Sequence, residues 1–400
     1  MILNKKIFLY VAIFYTLYII FPLFTNMGIP VWLPSLVSSS IMVIIFPKAF
    51  FNKIFIWYFV YAFMLLIYIA CGRPLTIGIG TVHDIWKFFI ENAYILPTLC
   101  IFSIMIYLKD ETLTRRFFYL SMLILFVSFI IAVPMMQRYG SLREALAEEG
   151  QLIILPGLPG YSLMHAYTLF LPILCYGIRA FSGIKKMWSL IGALILCFVI
   201  YDTFVTTSLI IMVVIILFTI LYNEKSNLLF FLISAVLMCV IYELYRSGLL
   251  ISFIDKIMPF FSETPVEFKL NDFKQSMIEG QITGGSIVGR MSYHQISWNS
   301  FLQKPLFGTS LVGGHSVLID RLGGMGLVVF IPFLMIIITF IRQMVMLYET
   351  KKAKVFFWVG IATGFVYLYQ KGLWGSESWL MYMILMPMGI LTFEKQIKKQ

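Results

Sequence analysis

One histidine stands where the last long hydrophilic stretch of the chain meets an apolar run. It is His315, in the sequence Gly313-Gly314-His315-Ser316, and the amphipathic segment 317–326 follows it. An imidazole takes a proton from a hydroxyl group most readily near pH 7, and a helix that begins beside it disfavours the protonated ring. The two glycines permit unusual backbone angles, and Ser316 is suited to cap the helix. The segment predicts a general base; a histidine that only satisfies loop carbonyls is the alternative.

An arginine precedes this histidine on a helix predicted over residues 288–302. Arg290, His294 and Ser297 follow one another at i, i+4 and i+7, beside an apolar stripe. A guanidinium group suits bidentate contact with phosphate, so Arg290 is a candidate anion ligand. An interfacial helix whose arginine meets lipid headgroups is the alternative. The sequence Lys-Pro-Leu-Phe-Gly at 304–308 is predicted to stop the helix and form a turn.

Further candidates for contact with a substrate lie near predicted outer helix ends. Tyr161 and His165 fall in the sixth apolar run, where a histidine usually faces a cavity or a partner helix. Arg321 would point to a different side of a regular helix than His315. The complete set of substrate-binding candidates is Arg321, Arg73, Arg138, Arg143, Arg246, His294, His165, Tyr161 and Ser316. The sequence contains no HExxH, Cys/His cluster or Walker A loop, so we expect neither a metal nor a cofactor.

The composition places these residues in a membrane protein. Of the 400 residues, 60% are hydrophobic and 12% are charged, and the mean hydropathy is +0.92. A soluble domain carries roughly 25% charged residues. The net charge of +11 does not indicate nucleic acid, because most lysines and arginines lie in short loops between apolar runs. The expected environment is therefore a lipid bilayer.

About twelve apolar runs are long enough for helices that cross a bilayer. Residues 1–245 are predicted to hold nine of these helices and residues 321–400 the other three. Residues 246–320 are predicted to form one large outward loop that contains short helices. Most lysines and arginines fall on one side, so both termini are expected in the cytoplasm. The predicted fold class is thus an all-α polytopic membrane protein.

The motifs around the histidine, taken in order, resemble those of the O-antigen polymerase and ligase superfamily (the Wzy and WaaL types). Gly289-Arg290-Met291 precedes Trp298 on the predicted helix, and the turn at 304–308 follows. His315-Ser316 comes next, and Gly326 stands eleven residues after the histidine. The family has an arginine, a tryptophan-containing helix, an N/K-P-L-x-G turn and an H-[NS] motif in this order. A late outer loop among about twelve spans is similar as well.

The resemblance implies a metal-independent glycosyltransferase with a GT-C-like fold, active at the outer face of the bacterial cytoplasmic (inner) membrane. Such enzymes pass a glycan from undecaprenyl pyrophosphate to an acceptor hydroxyl. Carried over, His315 is the base at that hydroxyl and Arg290 the pyrophosphate ligand. The implied partners are an undecaprenyl-pyrophosphate-linked oligosaccharide donor and acceptor, together with a chain-length regulator protein. The product would be a lipopolysaccharide O-antigen, a capsule or an exopolysaccharide.

A polymerase is favoured over a ligase that transfers glycan to the lipid A core. The serine after His315, with Asp320 five residues beyond the histidine, looks more like the polymerases, whereas ligases more often show His-Asn. One departure concerns a Ser-Arg-Gly-like motif that many members carry at the outer start of a middle helix. Here the sequence at 206–208 is Thr-Thr-Ser, so the second phosphate ligand stays open.

Two alternatives come from other functional classes. A transporter or flippase for lipid-linked glycans would need charged residues buried along several spans, and most of the predicted spans lack them. A scaffold for a polysaccharide assembly complex would have no catalytic residues. In that case, His315 and Arg290 would be replaceable.

Overall fold

The fold was analysed in a computed structural model. It describes residues 2–25, 32–71, 76–77, 81–82, 85–139, 159–203, 205–222, 249–262, 267, 270–271, 274, 286–370 and 375–398. Almost all of these residues are helical. The first half contains α1 (Ile2–Ile20), α2 (Pro22–Thr25), α3 (Trp32–Ile45), α4 (Lys53–Ala70), α5 (Ile85–Leu108), α6 (Glu111–Tyr139), α7 (Tyr161–Ala180), α8 (Gly183–Asp202) and α9 (Thr206–Leu221).

The second half is described from residue 249 onwards. It contains α10 (Leu249–Ile257), α11 (Ser286–Gln303), α12 (Val317–Leu347), α13 (Lys351–Gln370), α14 (Ser376–Leu380) and α15 (Met386–Lys398). A π-helical turn, Met381–Leu385, joins α14 to α15, and 3-10 turns cover Pro47–Phe50 and Met258–Phe261. The helix predicted over 288–302 is confirmed as α11.

Within the described ranges, the helices long and apolar enough to cross a membrane are α1, α6, α7, α8 and α12. Parts of α3, α4, α5 and α9 form shorter apolar helices. An all-α membrane protein is therefore confirmed, whereas twelve spans remain a prediction. The last of the nine spans predicted within residues 1–245 begins near Leu228 and lies outside the described residues.

The helix at the centre of the bundle is α7. Of its apolar stretch 83% is buried inside the protein, compared with 33% for α1 and for α8. It packs against α8, α9, α13 and α15, so apolar residues cover it on nearly all sides. The aromatic rings of Phe129 and Tyr167 meet edge to face at 5.1 Å within this core. The helices α8, α9, α13 and α15 are thus positioned around one common helix.

Three two-residue strands join the end of α4 to the loop before α12. They are β1 (Thr76–Ile77), β2 (Thr81–Val82) and β3 (Leu311–Val312), in the order β2-β1-β3. The β1–β2 pair is antiparallel, and the β1–β3 pair is parallel with Thr76 opposite Leu311. Because β3 ends three residues before His315, this pairing anchors the chain that leads into the histidine.

The long helix α12 is broken at Gly326, where φ is 69° and ψ is −174°. Such backbone angles are essentially restricted to glycine. The break leaves the amides of Leu327 and Val328 without carbonyl partners in their own helix. They donate instead to the carbonyls of Pro305 and Leu306, at 2.9 and 3.1 Å. The turn predicted at 304–308 is confirmed, and it caps the second half of α12.

The carbonyls on the other side of the break are also satisfied. Gly323 and Gly324 accept hydrogen bonds from the amides of Thr309 and Ser310, at 3.2 and 3.0 Å. The Tyr68 hydroxyl of α4 donates to the Gly324 carbonyl as well. Irregular backbone at membrane depth is tolerated only where protein groups pair it. The segment 304–310 therefore supplies the hydrogen-bond partners that the break in α12 requires.

Candidate functional site

The His315 ring stacks on the ring of Tyr293 in α11. The two centroids are 4.4 Å apart and the ring planes differ by 27°. Stacking engages the face of an imidazole, whereas its two nitrogens lie on the edge. The contact therefore fixes the plane of the His315 ring and leaves the direction of its nitrogens set by that plane. The side chain of His315 is partly exposed.

A buried serine–aspartate pair holds the backbone on both sides of His315. The Ser297 hydroxyl of α11 donates to Asp320 Oδ1 at 2.6 Å, and the Ser316 amide donates to Asp320 Oδ2 at 2.9 Å. The Gly313 amide donates to Ser297 Oγ at 2.8 Å. Asp320 and Ser297 are both buried. The histidine thus lies in a loop whose two ends are bonded to the same pair of side chains.

The two glycines before the histidine serve different purposes. Gly314 has a φ of 81°, which confirms the unusual backbone angle expected there. Gly313 has no positive φ and is needed for space instead. A Cβ atom at Gly313 would lie 2.1 Å from the Tyr293 carbonyl oxygen. The loop and α11 therefore approach each other backbone to backbone beside the histidine.

Ser316 caps α12, as the sequence predicts. Its side chain accepts a hydrogen bond from the Ile319 amide at 3.1 Å. The Ser316 hydroxyl is buried and also lies 3.5 Å from the Leu368 carbonyl of α13. Its expected contact with a substrate stays a prediction, and the described contacts assign it a structural role.

His294 lies next to Tyr293 in α11 and meets the end of α13. Its ring contacts the Tyr369 ring edge to face, with centroids 4.9 Å apart. Its Nε2 atom is buried and forms no hydrogen bond within the described part of the chain. Gln370, one residue beyond Tyr369, also has a buried side-chain oxygen, Oε1, without a hydrogen bond within the described residues. Buried polar atoms of this kind call for a hydrogen-bond partner.

Arg321 faces the interior of the bundle and not the loop. Its Nε donates to the Tyr61 hydroxyl of α4 at 3.3 Å, and one terminal nitrogen donates to the Val317 carbonyl at 3.1 Å. The guanidinium carbon lies 4.7 Å from the centre of the Phe333 ring. Arg321 is thus directed into the bundle, whereas His315 lies in the loop before the first residue of α12. These contacts link α12 to α4, and they indicate a structural role.

His165 is buried in α7 and faces a partner helix, as expected for a histidine inside a membrane. Its ring lies 4.7 Å from the Tyr367 ring of α13. The Tyr367 hydroxyl in turn shares a hydrogen bond of 2.8 Å with Ser208, in the Thr-Thr-Ser sequence of α9. This region therefore contacts α13 two residues before the Tyr369 contact of His294.

The remaining arginine candidates are not brought together with His315 by any described contact. Arg290 belongs to α11, one turn before Tyr293 on the same helical face, and its side chain lies outside the described part. Arg138 is exposed in the last turn of α6. Arg73, Arg143 and Arg246 lie outside the described residues, as does the side chain of Tyr161.

Sequence reasoning missed the aromatic partners of the site. Tyr293 stands three residues after Arg290, so its position on the same helical face was the available signal. Tyr369 and Tyr61 come from distant helices and left no local signal. Among the described residues, no three His, Cys, Asp or Glu side chains are grouped closely enough to hold a metal ion.

The chain matches no protein-family model and no curated protein.

Proposed function

We propose that the protein is a polysaccharide polymerase at the outer face of the bacterial cytoplasmic membrane. It would transfer a growing glycan from undecaprenyl pyrophosphate to a hydroxyl of an incoming lipid-linked repeat unit. The observation that carries this proposal is the fixed setting of His315, which stacks on Tyr293 within 4.4 Å in a loop tied to Asp320. A general base gains most of its effect when its ring is held in one orientation.

The proposed step is a substitution at the anomeric carbon of the donor glycan. The acceptor oxygen forms a bond to that carbon, and the bond from the carbon to the pyrophosphate oxygen breaks. His315 takes the proton from the acceptor hydroxyl, and undecaprenyl pyrophosphate leaves with the bonding electrons. Arg290 would stabilise the negative charge on the leaving group. Its place one turn before Tyr293 on α11 supports this role.

The two ends of α12 support an outward position for His315. The part of α12 after the break, residues 327–347, covers about 31 Å at a rise of 1.5 Å per residue, close to the roughly 30 Å of a bilayer core. His315 precedes the first residue of α12. At the other end, Glu349 pairs with Lys398, within the group of basic residues that the positive-inside rule assigns to the cytoplasm. The base and the basic end thus lie on opposite sides of the membrane domain.

A polymer assay in cells that lack their own polymerase tests the proposal. Cells with the wild-type chain should make a ladder of polymer lengths, and His315→Ala should accumulate single lipid-linked repeat units at unchanged protein level. A normal ladder from His315→Ala would overturn the proposed mechanism.

An arginine exchange separates the enzyme from a scaffold. Arg290→Lys keeps the charge but loses the bidentate geometry, so polymer yield should fall, whereas a scaffold should tolerate the change. Arg116→Lys, at an exposed site in α6, is the matched control and should leave the ladder intact.

A transporter of lipid-linked glycans is the second candidate. The break in α12 and the charged residues Asp320 and Arg321 in its first half favour it, because transporters often bind substrates at broken helices. Purified protein in detergent, given only lipid-linked repeat units, distinguishes the functions. A polymerase lengthens the glycan there, whereas a transporter has no membrane to work across and a ligase lacks its lipid A acceptor.

A further inference from the structure

A cavity of about 220 Å³ opens at the basic end of the bundle, the end opposite His315. It lies between the α5–α6 connection, the end of α12 and the start of α15. Its wall is largely apolar, with Met105, Leu347 and Leu391 among its members, and its rim carries Lys109 and Arg115. Nothing in the proposed reaction uses this cavity.

The positive charges at the rim exceed the negative ones. Asp110 and Glu111 both line the cavity, and each has a lysine partner, at 2.6 and 2.8 Å. Within the described residues, neither Lys109 nor Arg115 forms an ion pair. Both of these side chains are exposed. The rim therefore presents two cations whose charge the neighbouring carboxylates do not neutralise, directly above an apolar wall.

The backbone at Lys109 is a second and independent observation. Its φ of 49° lies in the left-handed region, where glycine or asparagine usually ends a helix. The α5–α6 connection contains only Lys109 and Asp110, and the Lys109 amide donates to the Met105 carbonyl at 3.1 Å. A lysine is strained in this backbone conformation, and its presence where glycine would be unstrained points to a function of its side chain. Here, that side chain places an ammonium group at the mouth of the cavity.

We propose that this cavity binds an anionic phospholipid from the leaflet that surrounds the basic end of the bundle. The headgroup phosphate lies between Lys109 and Arg115, and part of an acyl chain lies against Leu347 and Leu391. Basic pockets between membrane helices suit anionic lipid headgroups, because lipid supplies both the charge and the apolar surface. Inorganic phosphate would leave the apolar wall uncovered.

Native mass spectrometry of the purified full-length protein tests this site. Phosphatidylglycerol and phosphatidylcholine with the same acyl chains are added separately, and the bound lipid is counted. The wild type should retain several-fold more phosphatidylglycerol than phosphatidylcholine. The double variant Lys109→Gly/Arg115→Gln should retain the two lipids equally. Because glycine relieves the backbone strain at position 109, a thermal unfolding measurement should show no loss of stability for Lys109→Gly alone.

A matched control removes two charges elsewhere at the same end. Lys185→Gln/Lys186→Gln changes the start of α8, outside the cavity, and should keep the preference for phosphatidylglycerol. Equal losses in both double variants would overturn the proposal, because general surface charge would then explain the binding. Unchanged retention in the Lys109/Arg115 variant would overturn it as well. Displacement of phosphatidylglycerol by millimolar inorganic phosphate would show a phosphate site in its place.

Discussion

The hydroxyl of Ser297 donates to the carboxylate of Asp320 at 2.6 Å, and this bond joins the loop helix α11 to the membrane helix α12. The same two side chains bind the amides of Gly313 and Ser316. His315 lies between these amides and therefore cannot change its backbone position unless a buried hydrogen bond breaks. The proposed base is thus oriented by contacts made through the backbone.

Asp320→Asn tests whether this arrangement positions the base. Asparagine keeps the shape but has one acceptor oxygen in place of two, so one of the partner groups loses its acceptor. An unsatisfied buried group costs about 1–3 kcal/mol, and if this cost falls on the transition state, kcat should drop about tenfold to a hundredfold. We expect KM for the lipid-linked acceptor to stay within about twofold, because the exchange removes no contact between the protein and the bound substrate.

Asp255→Asn is the control for that exchange. Asp255 is exposed and pairs with Lys274, so its replacement should alter neither kinetic constant. A rise in KM with an unchanged kcat in Asp320→Asn would show that Asp320 binds substrate and does not act through His315.

Two exchanges at Tyr293 examine the stacked pair. Tyr293→Phe keeps the ring over His315, so the rate of chain elongation should remain close to wild type. Tyr293→Ala removes a stacking contact worth about 0.5–1.5 kcal/mol and should lower the rate by up to about tenfold. The rate is measured from the polymer ladder over time. If phenylalanine is as harmful as alanine, the tyrosine hydroxyl and not the stack is the important group.

Gly326→Ala should destabilise the protein more than a comparable change elsewhere. Its backbone angles are closed to alanine, at a cost of about 1–2 kcal/mol, and its Cβ atom would lie 2.3 Å from the Leu306 carbonyl oxygen. Overpacking of this kind adds about 1–3 kcal/mol. Gly183 also has a positive φ, but a Cβ atom there would meet no other atom within 4 Å, so Gly183→Ala should cost only the backbone part. Thermal unfolding in detergent gives both values, and equal losses would contradict the described packing at the break.

Arg321→Lys should lower stability and spare catalysis. A lysine cannot reproduce the two hydrogen bonds and the contact with Phe333 together, so we expect a loss of about 1–3 kcal/mol in the free energy of unfolding. The kcat of the folded fraction should stay within about twofold of wild type. Arg342→Lys, at an exposed site in α12, is the matched exchange and should change neither quantity. A collapse of kcat with full stability would restore Arg321 as a pyrophosphate ligand.

The ion pair between Lys5 and Asp110 predicts a dependence of stability on pH. Its hydrogen bond, followed by that from the Leu113 amide, lowers the pKa of Asp110. A lowered carboxyl pKa contributes stability above the unfolded value, about 3.9, and this stability is lost as the pH falls through the folded value. Asp110→Asn should therefore cost about 1 kcal/mol or less at pH 7. The difference in the free energy of unfolding between Asp110→Asn and the wild type should shrink as the pH falls below about 3.9.

Lys5→Gln is the companion variant for this measurement. Lys5→Gln should lower the free energy of unfolding at pH 7 by a similar amount. The loss in the double variant should not exceed the sum of the losses in the two single variants. A difference between Asp110→Asn and wild type that persists at low pH would mean that the helix cap at Asp110, and not its charge, stabilises the connection.

The features predictable from the sequence were those with local causes. The cap at Ser316, the positive φ of Gly314 and the turn at 304–308 each depend on residues within a few positions of one another. The all-α membrane fold follows from apolar runs, because only backbone that pairs with itself enters lipid.

The features that sequence reasoning missed depend on contacts between distant segments. Asp320 accepts a hydrogen bond from the amide of the N-cap residue Ser316. In a capping box this acceptor stands three residues after the N-cap, whereas Asp320 stands four residues after it, so a search for the motif does not find it. The break at Gly326 exists because the turn at 304–308 occupies it, and a helix pattern alone predicts an unbroken span. Tyr61 approaches Arg321 from 260 positions earlier in the chain.

The turn that fills the break in α12 bears on how the chain is assembled. Pro305 and Leu306 are synthesised before Leu327 and Val328, whose amides they accept. When the nascent span reaches the bilayer, these two amides need acceptors at once, since lipid offers none. Membrane insertion of residues 327–347 and closure of the turn therefore form one step of biogenesis, and a chain with a damaged turn should fail at that step before any question of catalysis arises.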